Sequence, residues 1–152
     1  MPAWPRIHTA TAALTPDGST TVAGAEPAAV AGNGSDTGVD MGSPETLLTC
    51  ALAWSYARAL QQRAADRELE WRSLEIVVDA TLDHNRLGPR VTRFDLRVDL
   101  VCAAHAPDPA LDGLLDAALE RCLVTATVAA PIALHGRVHR AGTPAPVAAP
   151  HG

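Results

Sequence analysis

Length, composition and charge place this chain among ordinary globular proteins. It has 152 residues, of which 47% are hydrophobic and 19% charged, so we expect one domain with a modest core. A net charge of −5, with arginines alternating with acidic residues instead of forming a basic patch, argues against nucleic-acid binding. The sequence shows neither a signal peptide nor an apolar run of membrane-spanning length, which predicts a cytoplasmic protein with no membrane partner.

The N-terminal region has the pattern of a β-hairpin followed by a loop. Residues 6–31 are strand-compatible on both sides of a turn signal at residues 16–19. Residues 32–43 are rich in glycine and polar side chains, so we expect a mobile loop there. His8, like His84 and His105, is expected to be exposed to solvent.

A first helix is predicted to begin directly after this loop. Ser43 suits the N-cap, and Pro44 suits the first helical position, where its missing N–H costs nothing. Ser55 falls within the predicted buried stripe of this helix, whose apolar members are Leu48, Ala51, Leu52, Ala59 and Leu60.

Two alternating segments and a second helix follow. Residues 74–82, apart from one apolar break at Val77, and residues 94–102 alternate apolar with polar side chains. They flank a turn at residues 84–89, which predicts an antiparallel pair of strands. Asp108 and Pro109 then start a helix whose apolar face is formed by Leu111, Leu114, Leu115, Ala118, Leu119 and Cys122. Residues 124–138 suggest a final strand, and the tail at 141–152 is predicted to be disordered because Pro, Ala and Gly cannot support a packed element there.

Two short segments carry a family resemblance. The segment from Ser43 to Leu48, which reads Ser-Pro-Glu-Thr-Leu-Leu, and the segment from Glu120 to Thr125, which reads Glu-Arg-Cys-Leu-Val-Thr, resemble the paired motifs of the OsmC/Ohr family. This family of small dimeric proteins includes thiol-dependent peroxidases that act on organic hydroperoxides. The resemblance covers about residues 44–134. It implies a single α+β domain over 1–140 with the OsmC-like fold, in which twisted antiparallel sheets surround two long central helices of an intertwined homodimer.

The resemblance also implies a site at the dimer interface. The family places a reactive cysteine ten residues after the motif glutamate, which is Glu45 here, but this chain has Ser55 at that position. Cys122 matches the second, resolving cysteine. The arginine that the family supplies from its N-terminal hairpin has no clear counterpart, since none occurs between Arg6 and Arg58. A serine oxygen cannot form a sulfenic acid, so we expect the two-cysteine chemistry to be lost.

The thiols and the glutamate each have a structural alternative. Glu45 lies about 15 Å along a straight helix from Ser55 and could simply complement the helix N-terminus. Cys50 could replace the missing thiol, but it points about 140° away from position 55 around the helix and could equally be an apolar filler. Cys122 is either a pocket residue or part of the core, and Cys102 is predicted to be core because it continues an apolar strand face.

Other chemistry receives less support. Ser55 as a nucleophile would need a base and an oxyanion hole, and no Gly-x-Ser-x-Gly motif is present; alternatively it was introduced to silence a natural cysteine. Trp54 and Tyr56 could line a ligand cavity or seal a subunit interface. His135 and His139 would lie about 13 Å apart in a strand, too far to share a metal. We predict no metal and no cofactor.

These observations lead to three hypotheses for function. The first is a divergent family member that binds or converts a small, largely apolar molecule in a pocket at the dimer interface. The second is a thiol-dependent organic hydroperoxide peroxidase that uses Cys50 or Cys122, and the third is a non-catalytic structural homodimer. For the site itself, we expect Ser55 and Cys122 to lie side by side, with Trp54 or Tyr56 at the wall of the pocket and Glu45 at its mouth.

Overall fold

The computed structural model describes residues 3–25 and 42–142. The elements are β1 (Arg6–Leu14), β2 (Thr20–Ala25), α1 (Pro44–Asp66), β3 (Trp71–Asn85), β4 (Gly88–Cys102), α2 (Asp108–Leu111), α3 (Leu114–Arg121), α4 (Leu123–Thr127) and β5 (Ile132–Arg140). Residues 26–31 of the predicted hairpin, most of the predicted loop at 32–43 and residues 143–152 of the predicted tail lie outside the described residues.

The strands of the described residues form one five-stranded sheet in the order β2-β1-β3-β4-β5. All neighbours are antiparallel except β4 and β5, which run parallel because the chain crosses back through α2, α3 and α4 before it enters β5. The helices contribute the other layer, so the α+β class predicted from the sequence is confirmed.

The alternating pattern of β3 and β4 determines the two faces of this sheet. The two strands pair antiparallel, as predicted, with Leu74 opposite Leu100 and Ile76 opposite Val98. The apolar members of both strands are buried toward α1, whereas their polar members lie on the outer face. The turn is tighter than predicted, because Gly88 adopts a φ of 101° and lets both strands extend to the hairpin tip.

Helix α1 begins as the sequence predicts, but its buried face is rotated from the predicted one. Ser43 accepts a hydrogen bond from the Thr46 backbone N–H at 3.2 Å and caps the helix. Leu48 and Ala51 were assigned to the buried stripe, and this assignment is wrong: Leu48 is 36% exposed and Ala51 is exposed as well. The buried residues of α1 instead include Thr49, Leu52, Ala53, Tyr56, Ala57 and Leu60.

The second predicted helix is divided into three short ones. Gly113 adopts a left-handed conformation with φ 61° between α2 and α3, and extended backbone at Cys122 separates α3 from α4. Arg67 stabilises the first break by donating to the carbonyls of Ala110 and Asp112, at 3.2 and 2.6 Å. Residues 124–127, which were predicted to start the final strand, are helical. That strand, β5, begins only at Ile132.

We expect Gly136→Ala to lower the free energy of unfolding by about 1–3 kcal/mol through overpacking. Gly136 lies on β5 directly against α3, where an added Cβ would come within 2.0 Å of Leu115 Cδ1. Chemical denaturation measures the cost, and the same substitution in a Leu115→Ala background is the control. An equal cost in both backgrounds would show that this contact is not the cause.

Candidate functional site

Ser55 and Cys122 meet where α1 packs against the junction of α3 and α4. The Cys122 thiol donates to Ser55 Oγ at 3.2 Å, and the Val124 backbone N–H approaches the same oxygen at 3.5 Å. Both hydrogen bonds of the hydroxyl to described residues thus run across the helix interface, and neither involves the carbonyl of Ala51. Cys122 is almost fully buried, whereas Ser55 is half-buried.

Glu45 lies in the first turn of α1, away from this pair. It is half-buried, and its backbone carbonyl accepts a hydrogen bond from the Thr49 hydroxyl at 2.7 Å. Since α1 is continuous from Pro44 to Asp66, ten residues separate Glu45 from Ser55 by about 15 Å along the axis. Within one chain, Glu45 is placed to complement the positive end of the helix dipole and not to contact the Ser55 hydroxyl.

The two aromatic residues beside Ser55 have opposite environments. Trp54 is 50% exposed, whereas Tyr56 is fully buried and donates its hydroxyl to the Leu115 carbonyl at 3.0 Å. Tyr56 therefore anchors α1 to α3 in the core and lines no open surface. Of these two side chains, only Trp54 is exposed and so placed to contact a ligand or a second subunit.

We expect stability to fall with rising pH above about 10, partly through Tyr56. Burial, followed by the nearby Asp116 and Cys122, raises the pKa of Tyr56 above its ordinary value of 10.0. The unfolded chain then loses the phenolic proton at a lower pH than the folded chain does, so the stabilisation is complete below pH 10 and decreases above it. The chain has one tyrosine and no lysine, so few other groups titrate in this range.

The measurement is the free energy of unfolding between pH 9 and 12 for the wild type and Tyr56→Phe. The wild type should lose stability more steeply with pH, because only the phenol differs between the two proteins. Parallel curves would contradict the proposed contribution of Tyr56.

The other two cysteines lie apart from this pair. Cys50 faces β2, where a Cβ added to Gly24 would lie 3.0 Å from its Sγ, so it points to a different face of α1 from Ser55, as predicted. Cys102 is fully buried and donates to the His139 carbonyl at 3.2 Å, which confirms its assignment to the core. None of the three cysteines, all within the described residues, forms a disulfide.

A buried polar cluster at the N-terminus of α1 was missed by the sequence analysis. His8 was expected to be exposed, but it is 2% exposed, and its Nδ1 lies 2.9 Å from Thr46 Oγ1 and 3.4 Å from Ser43 Oγ. The imidazole thus links β1 to the cap of α1. His8 lies on the same face of β1 as the buried Ala10 and Ala12, and this alternation could have predicted its burial.

Arg6, the one arginine of the hairpin, lies at the start of β1. Its guanidinium is stacked over the Trp4 ring, 5.9 Å from the ring centroid. This cation–π contact is a structural role for Arg6 that the sequence pattern did not indicate.

Four large apolar side chains on α1 and α4 are exposed to solvent. They are Leu47, Leu48 and Trp54 on α1, together with Leu123, which follows Cys122 and is 75% exposed. We call these four residues the apolar face. A contiguous surface of large apolar side chains is typically covered by another molecule.

Two cavities of the described residues lie away from the Ser55–Cys122 pair. One, of about 510 Å³, is an open groove on the outer face of β3, β4 and β5. Another, of about 240 Å³, lies among β1, β2 and β3. Neither is lined by Ser55 or Cys122.

This architecture and the matched segments establish the family. The OsmC-like protein family model matches residues 36–135, and the chain belongs to that family. A comparison with curated proteins found no match. No helix within residues 3–25 and 42–142 is long and apolar enough to cross a membrane.

Solved structures share the fold at low sequence identity. An OsmC-like protein of unknown function from Vibrio cholerae is 21% identical over 80% of each chain, with a TM-score of 0.59. An OsmC-like hydroperoxide resistance protein from Jannaschia sp. is 14% identical over 82% of this chain and 87% of its own, with a TM-score of 0.56. An OsmC-like protein from Mycoplasma pneumoniae is 14% identical over 85% and 95%, with a TM-score of 0.54.

Proposed function

We propose that this protein is a divergent OsmC-like protein that has lost two-cysteine hydroperoxide reductase chemistry and binds or converts a small, largely apolar molecule at a dimer interface. The observation that carries the proposal is the contact of the Cys122 thiol with a hydroxyl at position 55, where the family resemblance expects a second thiol. The fold is retained while the attacking group differs.

The different chemistry of a hydroxyl and a thiol explains why hydroperoxide reduction would be lost. Reduction of a hydroperoxide by a thiolate transfers one oxygen to sulfur, and a second thiol then releases it as water with formation of a disulfide. The Ser55 oxygen can take neither role. Cys122 is 1% exposed and donates its proton to that oxygen, so it is poorly placed to react with a peroxide from solvent.

The apolar face supports the binding part of the proposal. A second copy of the chain laid against Leu47, Leu48, Trp54 and Leu123 would cover these side chains and enclose the half-buried Ser55 hydroxyl. The resulting pocket would offer apolar walls and one or two polar groups, a common composition for a small-molecule site. We also propose a cytoplasmic location, where the three thiols would stay reduced.

Consumption of an organic hydroperoxide in the presence of a dithiol reductant tests the loss of chemistry. We expect the wild type, Cys122→Ala and Cys50→Ala all to match the rate without protein. Turnover that disappears in one of the two variants would instead establish a peroxidase using that thiol, the alternative function.

Binding of an apolar fluorescent probe, N-phenyl-1-naphthylamine, tests the pocket. Ser55→Phe should abolish binding by filling the space beside Cys122, whereas Arg90→Ala, an exposed position on β4, should leave it unchanged. Equal binding by both variants, with the wild type also binding, would place the probe elsewhere. Failure of the wild type to bind would favour the structural homodimer.

A further inference from the structure

The outer face of the sheet carries a groove that the proposed function does not use. It has a volume of about 510 Å³, and Val77 of β3 and Arg97 of β4 lie opposite each other within it. Glu75, Asp99, His135 and Arg137 provide its remaining charged and titratable side chains. The side chains of these residues lie on the face of the sheet opposite to α1. The groove and the Ser55–Cys122 pair are therefore on opposite sides of the sheet.

The register of the sheet brings carboxylates together on this face. Asp79 lies directly opposite Asp95, a like-charge arrangement that destabilises a strand pair on its own. Arginines compensate for it, since Arg97 binds Asp79 at 2.7 Å and Arg93 binds Asp95 at 2.6 Å. His135 adds a third group, 3.7 Å from Asp95.

A second row of charges, beyond the Val77–Arg97 pair, is compensated only in part. It runs from Glu75 through Asp99 to Arg137, again with two carboxylates side by side. Asp99 is bound by His139 at 2.5 Å. Glu75 and Arg137 form no ion pair with any residue in the described ranges, which leaves one negative and one positive charge at opposite ends of the row.

We propose that this groove binds a short zwitterionic ligand of the peptide class. Its ammonium would pair with Glu75, relieving the repulsion between Glu75 and Asp99, and its carboxylate would pair with the planar guanidinium of Arg137. Two strand spacings separate the ends of the row by about 10 Å. An extended tripeptide has about the same length, and its small side chains would contact Val77.

Trialanine is the probe, and amide chemical shifts of the ¹⁵N-labelled full-length protein are the measurement. We expect saturable shifts at Val77 and Gly136. Glu75→Gln and Arg137→Gln should each weaken binding about tenfold, the ratio equivalent to about 1.4 kcal/mol. Arg90→Gln, an exposed arginine outside the groove, is the matched control and should bind like the wild type.

End-blocked peptides show whether the charges are recognised. N-acetyl-trialanine should lose its sensitivity to Glu75→Gln, and trialanine amide should lose its sensitivity to Arg137→Gln. Absence of saturable shifts with trialanine would overturn the proposal, as would equal binding of a peptide blocked at both ends. Hydroperoxide assays do not enter this test, so its outcome is independent of the proposed function.

Discussion

Ser55→Cys is expected to form a disulfide with Cys122 almost quantitatively under mild oxidation. The two side-chain atoms already lie 3.2 Å apart, and the longer C–S bond of cysteine brings the new sulfur closer to the 2.05 Å of a disulfide. Thiol titration of the unfolded protein should give three thiols for the wild type and two for the oxidised variant, because one new thiol is added and two are consumed. Intact mass should fall by about 2 Da on oxidation.

The same variant should gain a reaction with organic hydroperoxides. The thiolate at position 55 attacks one peroxide oxygen, releasing an alcohol and leaving a sulfenic acid; the Cys122 thiol then forms the disulfide and releases water. Turnover with a dithiol that reduces the disulfide should be slow, since Glu45 lies far along the helix and no arginine between Arg6 and Arg58 can supply the family's hairpin arginine. Ser55→Cys with Cys122→Ala is the control and should stop at a sulfenic acid. Failure of the single variant to form any disulfide would contradict the geometry.

The strands could be predicted from the sequence because one period of two residues governs both burial and pairing. Residues 74–82 alternate apart from one apolar break at Val77, residues 94–102 alternate more cleanly, and both segments bury the predicted members. His8 obeys the same alternation, but it was expected to be exposed because it lies near a strand end without metal-ligand partners; it is instead buried against Thr46. Pattern was the better guide than polarity at this position.

The helices were harder to predict from the sequence, since the spacing of apolar residues does not show where the backbone changes direction. Leu111, Leu114 and Leu115 keep helical spacing across Gly113, yet that glycine adopts a left-handed conformation and ends α2. On α1 the sequence offers apolar residues almost all round, so the face packed on the sheet could not be separated from the face bearing Leu48. Tertiary contacts determine both the break at Gly113 and the buried face of α1.

The site could be predicted only where the family resemblance supplied the pairing. Nothing in the spacing of Ser55 and Cys122 indicates that they touch, and the approach of the Val124 N–H to the same hydroxyl depends on the break after α3. The groove on the outer face was beyond the sequence analysis for a related reason. Its row of Glu75, Asp99 and Arg137 exists only through the register of three strands.

Substituting aspartate for Trp54 or Leu48 is expected to abolish the proposed homodimer and, with it, most of the stability of the fold. Each side chain would contribute about 1.5–3 kcal/mol when fully buried against a second copy, and a carboxylate there would lack a partner. Sedimentation or light scattering should show a dimer for the wild type at micromolar concentration. The variants should unfold at a lower denaturant concentration than the wild type does.

Coupling between association and folding gives the decisive control for this prediction. If the dimer stabilises the fold, the wild-type unfolding midpoint rises with protein concentration, whereas the midpoints of Trp54→Asp and Leu48→Asp do not. Arg90→Asp places the same charge at an exposed position outside the apolar face and should behave like the wild type. A folded wild-type species of 15.8 kDa that persists at micromolar concentration would contradict the dimer, because Leu47, Leu48, Trp54 and Leu123 would then stay exposed to water.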